Sequence, residues 1–314
     1  MIYRKLATSL TLAALLLGGA ALTGWRLNAV EAASEARYPA LGKLITVDGK
    51  RLHVLVKGSG PDLVLLHGAG GNLRDFDLDL IDRLTPHYRV TAFDRPGLGL
   101  SDRIENGTDL RAQARHLAQA ADQLGIRNPI VLGHSFGGGV AMAWALNRPD
   151  TTRALVIVAG ATMPFPGAVA RWYHLTGGSF SRLINPAITL LASPARVQAS
   201  LDATFAPDPV APGYASHIGA GLTTRRKALA ENGAQVLALK ANLLAMSPSY
   251  PSLTLPVEIL HGSADTTVRP EIHGLPLSKT LPNAQFTLIE GAGHMPHHSH
   301  PQVIVDAIAR AARR

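Results

Sequence analysis

Near the middle of the chain, Gly133-His134-Ser135-Phe136-Gly137 sets a serine between glycines two positions away on either side. The β-rich run Asn128–Leu132 leads into it, and a small-residue helical pattern from Gly138 to Asn147 follows. This is G-x-S-x-G in strand–turn–helix context, a turn so tight that its flanking positions must be nearly free of side chain. Such a turn holds the hydroxyl at a helix N-terminus, where backbone N–H groups and the helix dipole favour a developing oxyanion. A serine hydroxyl attacks a carbonyl only if a positioned base takes its proton and an acid orients that base. Both residue types occur downstream. Asp265 follows the apolar run Pro256–His261, and His294 follows the run Ala284–Ile289 through Glu290-Gly291-Ala292-Gly293. The order Ser, Asp, His is the one this elbow requires, and strand ends on one edge of a parallel sheet can bring three distant residues together.

The oxyanion must also be held. The apolar run Leu63–Leu66 opens into His67-Gly68-Ala69-Gly70-Gly71. Glycines there let the backbone come close to a reacting carbonyl. The expected donors are the backbone N–H groups of Ala69 and Phe136, and losing one such donor typically costs about 3–4 kcal/mol of transition-state stabilisation.

Taken together, five segments resemble the α/β-hydrolase family: His67-Gly68-Ala69-Gly70, Asp94-Arg95-Pro96-Gly97-Leu98-Gly99-Leu100-Ser101-Asp102, Gly133–Gly138, His261–Asp265 and Gly291–His294. They run from about residue 40 to the C-terminus. The family also hosts dehalogenases, lyases, peroxidases and acyltransferases, so the resemblance is more specific for fold than for reaction. Its dehalogenases and epoxide hydrolases use an aspartate nucleophile, and Ser135 at that position argues against both. The resemblance implies a scaffold role for Asp94 and Arg95. It implies a serine hydrolase that cleaves carboxylic esters through Ser135, His294 and Asp265, with a small-molecule or lipid ester as substrate. Acyl transfer, peracid formation or carbon–carbon hydrolysis on the same three residues are the alternatives. A non-enzymatic binding module would be marked by loss of one of the three, and all are present.

The elements that must position these residues alternate in βα style. Candidate strands are Leu44–Asp48, Arg51–Lys57, Leu63–His67, Tyr88–Asp94, Pro129–Gly133, Ala154–Ala159, Pro256–His261 and Gln285–Glu290. Asp48-Gly49 signals a hairpin between the first two. The later runs are short and continuously apolar, as strands buried on both faces should be. Helical patterns cover Asp109–Leu124 and Pro301–Arg313. The expected fold is α/β: a mostly parallel, eight-stranded twisted sheet with helices on both faces and a helical cap insertion. The expected divisions are 1–36 (N-terminal helix and tether), 37–160 (core), 161–250 (cap) and 251–314 (core). Helix-like stretches in the cap are Ala168–Leu175, Pro194–Thr204 and Thr224–Leu244. A cap there would exclude water and shape the pocket.

Composition agrees with an enzyme of this kind. The 314 residues are 46% hydrophobic, enough for a sizeable core, and the absence of cysteine excludes disulfides and thiol catalysis. The net charge of +8 includes a basic cap, with Arg171, Arg182, Arg196, Arg225, Arg226, Lys227 and Lys240 against Asp202, Asp208 and Glu231. No nucleic-acid motif accompanies this charge, so no nucleic-acid partner is expected. His294, His297, His298 and His300 lack nearby carboxylates or cysteines at metal-ligand spacing, so no metal is expected. No organic cofactor is implied either.

The N-terminus carries a separate expectation. After the basic Met1–Lys5, the segment Leu6–Trp25 has no charged residue and is about the length of a bilayer span. It reads as a transmembrane signal anchor, with residues 26–40 as a polar tether. The catalytic domain would then lie outside the cytoplasm, on the periplasmic side. Cleavage after Ala32 would instead give a secreted protein.

Overall fold

A computed structural model describes the backbone from Ile2 to Arg314 and the side chains from Gly18 onward. Eight strands form one sheet: β1 (Lys43–Val47), β2 (Lys50–Lys57), β3 (Asp62–Leu66), β4 (Arg89–Phe93), β5 (Ile130–His134), β6 (Ala154–Val158), β7 (Val257–Gly262) and β8 (Ala284–Ile289). Their order is β1-β2-β4-β3-β5-β6-β7-β8. β1 pairs antiparallel with β2, and β2 antiparallel with β4, while every later pairing is parallel. The β1–β2 turn places both Asp48 and Gly49 at positive φ, as a tight two-residue hairpin requires.

Side-chain alternation divides the core in two. Val64, Val131, Leu155 and Val257 are neighbours across the sheet and face the helices Leu110–Gln123 and Phe136–Asn147. One residue further along, Leu65, Leu132 and Val156 face Leu80–Leu84 and Pro301–Arg313. Strands buried on both faces need apolar residues at every position, which explains the unbroken runs of β5 and β6.

Between β6 and β7 the chain forms six α-helices, Arg171–Gly177, Ser181–Leu191, Pro194–Phe205, Tyr214–His217, Ala220–Thr223 and Arg226–Met246, and the 3-10 helix Ser247–Ser252. Ser181–Leu191 was not among the expected stretches, because Pro186 interrupts its pattern. The long helix Arg226–Met246 crosses Arg171–Gly177 at Gly177 and Gly233, where a Cβ on either would collide with the other's backbone. Its Val236, Leu239 and Leu243 enter the main core and so fasten the insertion to the sheet.

The membrane-spanning expectation is corrected. Among the described residues no helix is long and apolar enough to cross a membrane. Part of the segment Leu6–Trp25 falls on residues 1–17, whose side chains lie outside those described. The expected tether is helical as far as Arg37, within a single helix Ile2–Arg37. That helix docks on the insertion. Leu27 is buried, Glu31 accepts from the Arg226 guanidinium at 2.8–2.9 Å, and Glu35 pairs with Arg225. Three of the residues that read as a solvated linker, Asn28, Glu31 and Glu35, meet arginines of the insertion.

Arg95 joins the layers. Fully buried, its guanidinium donates to His67 O (2.9 Å), Gly68 O (3.0 Å), Gln113 Oε1 (2.9 Å) and Gln235 Oε1 (2.8 Å). These acceptors belong to the loop after β3, the helix Leu110–Gln123 and the insertion. Burial pulls its pKa down to about 9. Arg95→Met would leave three buried acceptors, His67 O, Gln113 Oε1 and Gln235 Oε1, unpaired, while Gly68 O keeps the His67 Nδ1–H. Such losses cost about 1–3 kcal/mol each before relaxation, so urea unfolding should register a destabilisation of about 3 kcal/mol or more. A change below about 1 kcal/mol would contradict this account of the joint.

Candidate active site

Ser135 caps the helix Phe136–Asn147 and sits at φ +53°, ψ −121°. Such a backbone costs about 1–3 kcal/mol and persists only when its surroundings fix it. Here its N–H donates to Val158 O at 3.0 Å, and its carbonyl accepts from Gly138 N (2.9 Å) and Ala161 N (3.0 Å). A Cβ at Gly133 would overlap the Gly137 carbonyl, and one at Gly137 would overlap the Leu66 carbonyl. The two flanking glycines are therefore steric requirements of the turn.

The ends of β7 and β8 bring in the partners. His294 Nε2 lies 2.9 Å from Ser135 Oγ, and His294 Nδ1 lies 2.7 Å from Asp265 Oδ2. The other Asp265 oxygen accepts from the N–H groups of Thr267 (2.8 Å) and Val268 (2.9 Å), which fix the carboxylate plane. All three side chains are buried, with Ser135 the most open at 8%. His134 Nε2–H donates to the His294 carbonyl at 3.0 Å and steadies the loop that carries the imidazole.

The loop after β3 passes directly over this group, and a Cβ at Gly68 would sit 3.0 Å from that of Ser135. The N–H groups of Ala69 and Phe136 find no acceptor among the described residues. The insertion holds the loop from above: Asn232 Oδ1 accepts from Gly70 N–H at 2.6 Å, and Thr223 Oγ1 donates to Gly70 O at 2.8 Å. Between loop and insertion lies a cavity of about 590 Å³. Ser135, His294 and Ala69 line one side, and Tyr173, Ile188, Leu191, Leu201 and Leu229 make the other apolar.

Asp94 is engaged wholly in scaffolding. Its carboxylate accepts from the N–H groups of Leu73 and Leu100, both at 2.7 Å, and its Oδ2 lies 2.7 Å from His53 Nδ1. Sequence reasoning missed Asn232 and Thr223, which sit in helices with no motif. It also missed Asp75, a carboxylate more than 200 positions from the C-terminal histidines that stands among them. His297 Nε2 (3.2 Å), His298 Nε2 (3.0 Å) and the Tyr214 hydroxyl (2.9 Å) all meet its oxygens. His300 stands apart and bonds Ser299.

Residues 63–307 match the model of the alpha/beta hydrolase family, and the chain belongs to that family. This makes it a hydrolase by class, with a small molecule as the expected substrate. Its relatives divide in chemistry. Over 285 residues it is 26% identical to haloalkane dehalogenase 2 of Mycobacterium tuberculosis, covering 86% of this chain and 94% of that one. An esterase from Exiguobacterium antarcticum superposes with a TM-score of 0.66 at 21% identity, over 87% of this chain and 100% of the other. The epoxide hydrolase CorEH superposes with a TM-score of 0.71 at 23% identity, over 87% and 99%. At such identities the structural likeness carries the fold alone.

Several histidines around the site are buried as neutral rings. His67 uses both nitrogens, with Nδ1–H donating to Gly68 O (2.8 Å) and Nε2 accepting from Arg95 N–H (2.9 Å), so it has no place for a second proton. His273 Nδ1 accepts from Met163 N–H, and His261 Nε2–H donates to Val268 O. Burial pushes all three down to about 4 from an ordinary 6.5. Between those values the unfolded chain binds protons that the folded chain refuses. Their contribution is therefore complete above pH 6.5 and is lost as pH falls towards 4, at up to about 1.4 kcal/mol per pH unit for each ring. Urea unfolding at pH 7 and pH 5 should differ by at least about 3 kcal/mol, with protons taken up on unfolding. Equal stability at the two pH values would mean that these rings are not held neutral.

Proposed function

We propose that the protein hydrolyses carboxylic esters through a covalent acyl-enzyme on Ser135. The observation that carries this reading is the continuous hydrogen-bond path from Ser135 Oγ through His294 to Asp265, ending at the floor of an apolar cavity. Ser135 attacks the ester carbonyl carbon while His294 Nε2 takes its proton. Asp265 holds the imidazole in the tautomer that leaves Nε2 free to accept, and it stabilises the imidazolium. The carbonyl oxygen gains a negative charge and is held by the unspent N–H groups of Ala69 and Phe136. Collapse expels the alcohol, which receives the proton from His294. Water then enters, loses a proton to the same nitrogen and releases the acid. A serine in place of an aspartate favours this route over the dehalogenase and epoxide-hydrolase chemistry of the relatives. The apolar cavity wall favours an ester with a hydrocarbon acyl group.

A fluorophosphonate should label Ser135 and abolish ester hydrolysis. Ser135→Ala should lose several orders of magnitude in kcat while keeping its unfolding midpoint. Undiminished hydrolysis by Ser135→Ala would exclude the mechanism.

Asp265→Asn should lower kcat by about 10⁴-fold, because the amide reverses the tautomer preference of His294. A loss below about tenfold would assign the orienting role to another group. A p-nitrophenyl ester series run beside anilides checks both variants on a common scale.

A further inference from the structure

Asp75 is a buried carboxylate, 3% exposed, on the short helix Arg74–Asp77 that follows the loop over Ser135. Among the described residues its ion-pair partners are histidines alone: His297, His298 and, at 3.8 Å, His134. A buried charge demands either a cation or metal coordination. Neutral imidazoles donate hydrogen bonds but supply no charge. Two buried ring nitrogens, Nδ1 of His134 and Nδ1 of His297, also lack partners.

We propose that Asp75, His297 and His298 form a binding site for one divalent cation of borderline softness, of which Zn²⁺ is the type. One oxygen and two imidazole nitrogens make a donor set suited to that class. The ligand atoms lie within 4.8 Å of one another, and each histidine Nε2 is already 3.0–3.2 Å from a carboxylate oxygen. Donors about 2.0–2.1 Å from a shared tetrahedral ion stand roughly 3.3 Å apart, so the cluster needs only side-chain adjustment, with no movement of the backbone segments, to close around an ion. The Nε2 protons need not leave the rings, because each imidazole can bind through Nε2 with its proton on Nδ1, and the unpartnered His297 Nδ1 has room for one. The cavity that reaches Ser135 is also lined by Asp75 and so gives a route in. Tyr214, from the insertion, donates to the Asp75 carboxylate and would orient it as outer-shell partners of metal ligands do. The ion would tie the segment after the Ser135-covering loop to the segment three residues past His294, and Tyr214 would link the insertion to it through Asp75.

The test uses the full-length protein stripped with a chelator and titrated with Zn²⁺ or Co²⁺. One tight equivalent of Zn²⁺ should bind and raise the melting temperature. Co²⁺ should give visible ligand-field bands. Asp75→Asn and His298→Gln should each weaken binding at least about 100-fold, while His300→Gln should not. Binding that His298→Gln leaves intact would mean adventitious capture by surface histidines and would overturn the proposal, as would no binding at all. If the variants fold poorly, the wild-type protein decides. Bound Co²⁺ should shift the ring resonances of two sequence-adjacent histidines, His297 and His298, and shifts confined to other histidines would overturn the site.

Discussion

The guanidinium of Arg95 is the point on which the layers converge. It is fully buried, carries a charge that burial disfavours, and spends four hydrogen bonds on three separate parts of the chain. It also lies 4.3 Å from the centre of the Phe136 ring. It therefore touches both segments that bracket Ser135: the loop at Gly68 and the first residue of the following helix. A planar fork of fixed N–H directions is well suited to set two backbone segments at a defined spacing, and a lysine's single point charge is not.

The strained turn at Ser135 rests on that setting. Its positive φ is tolerable because β6 accepts the serine N–H and the next helix and loop donate to its carbonyl. Gly133 and Gly137 are empty of side chain because the chain crosses itself there, against Leu66 and Gly137 carbonyls. The same crowding recurs at the other end of the relay, where a Cβ at Gly262 would overlap the Ala292 and Gly293 carbonyls. The geometry around Ser135, Asp265 and His294 is thus a property of backbone packing at strand ends more than of the three side chains.

This explains which parts were legible in the sequence. Strands buried on both faces leave unbroken apolar runs, and tight crossings leave glycines at fixed offsets, so the sheet and the residues at its edge could be read one segment at a time. In the insertion the helices Arg171–Gly177, Pro194–Phe205 and Arg226–Met246 were legible in the same way, but the contacts between distant segments were not. Asn232, Thr223, Asp75 and Tyr214 each act by meeting a residue far away in the chain, and no local period records such a meeting. The N-terminal segment misled for a related reason. Absence of charge alone does not make a stretch apolar enough for a bilayer, and the polar residues beyond it are not free, since Glu31 and Glu35 meet Arg226 and Arg225. The basic excess of the insertion is correspondingly smaller in the folded chain than the residue count suggests.

Gly70 is clasped on both its N–H and its carbonyl by Asn232 and Thr223. The loop above the serine is therefore wired to the lid. Any motion that lifts those helices to admit a ligand must first unlatch Gly70, and its neighbour Ala69 loses its fixed position at the same moment. Helix position and loop order are thus coupled through the two hydrogen bonds of a single glycine.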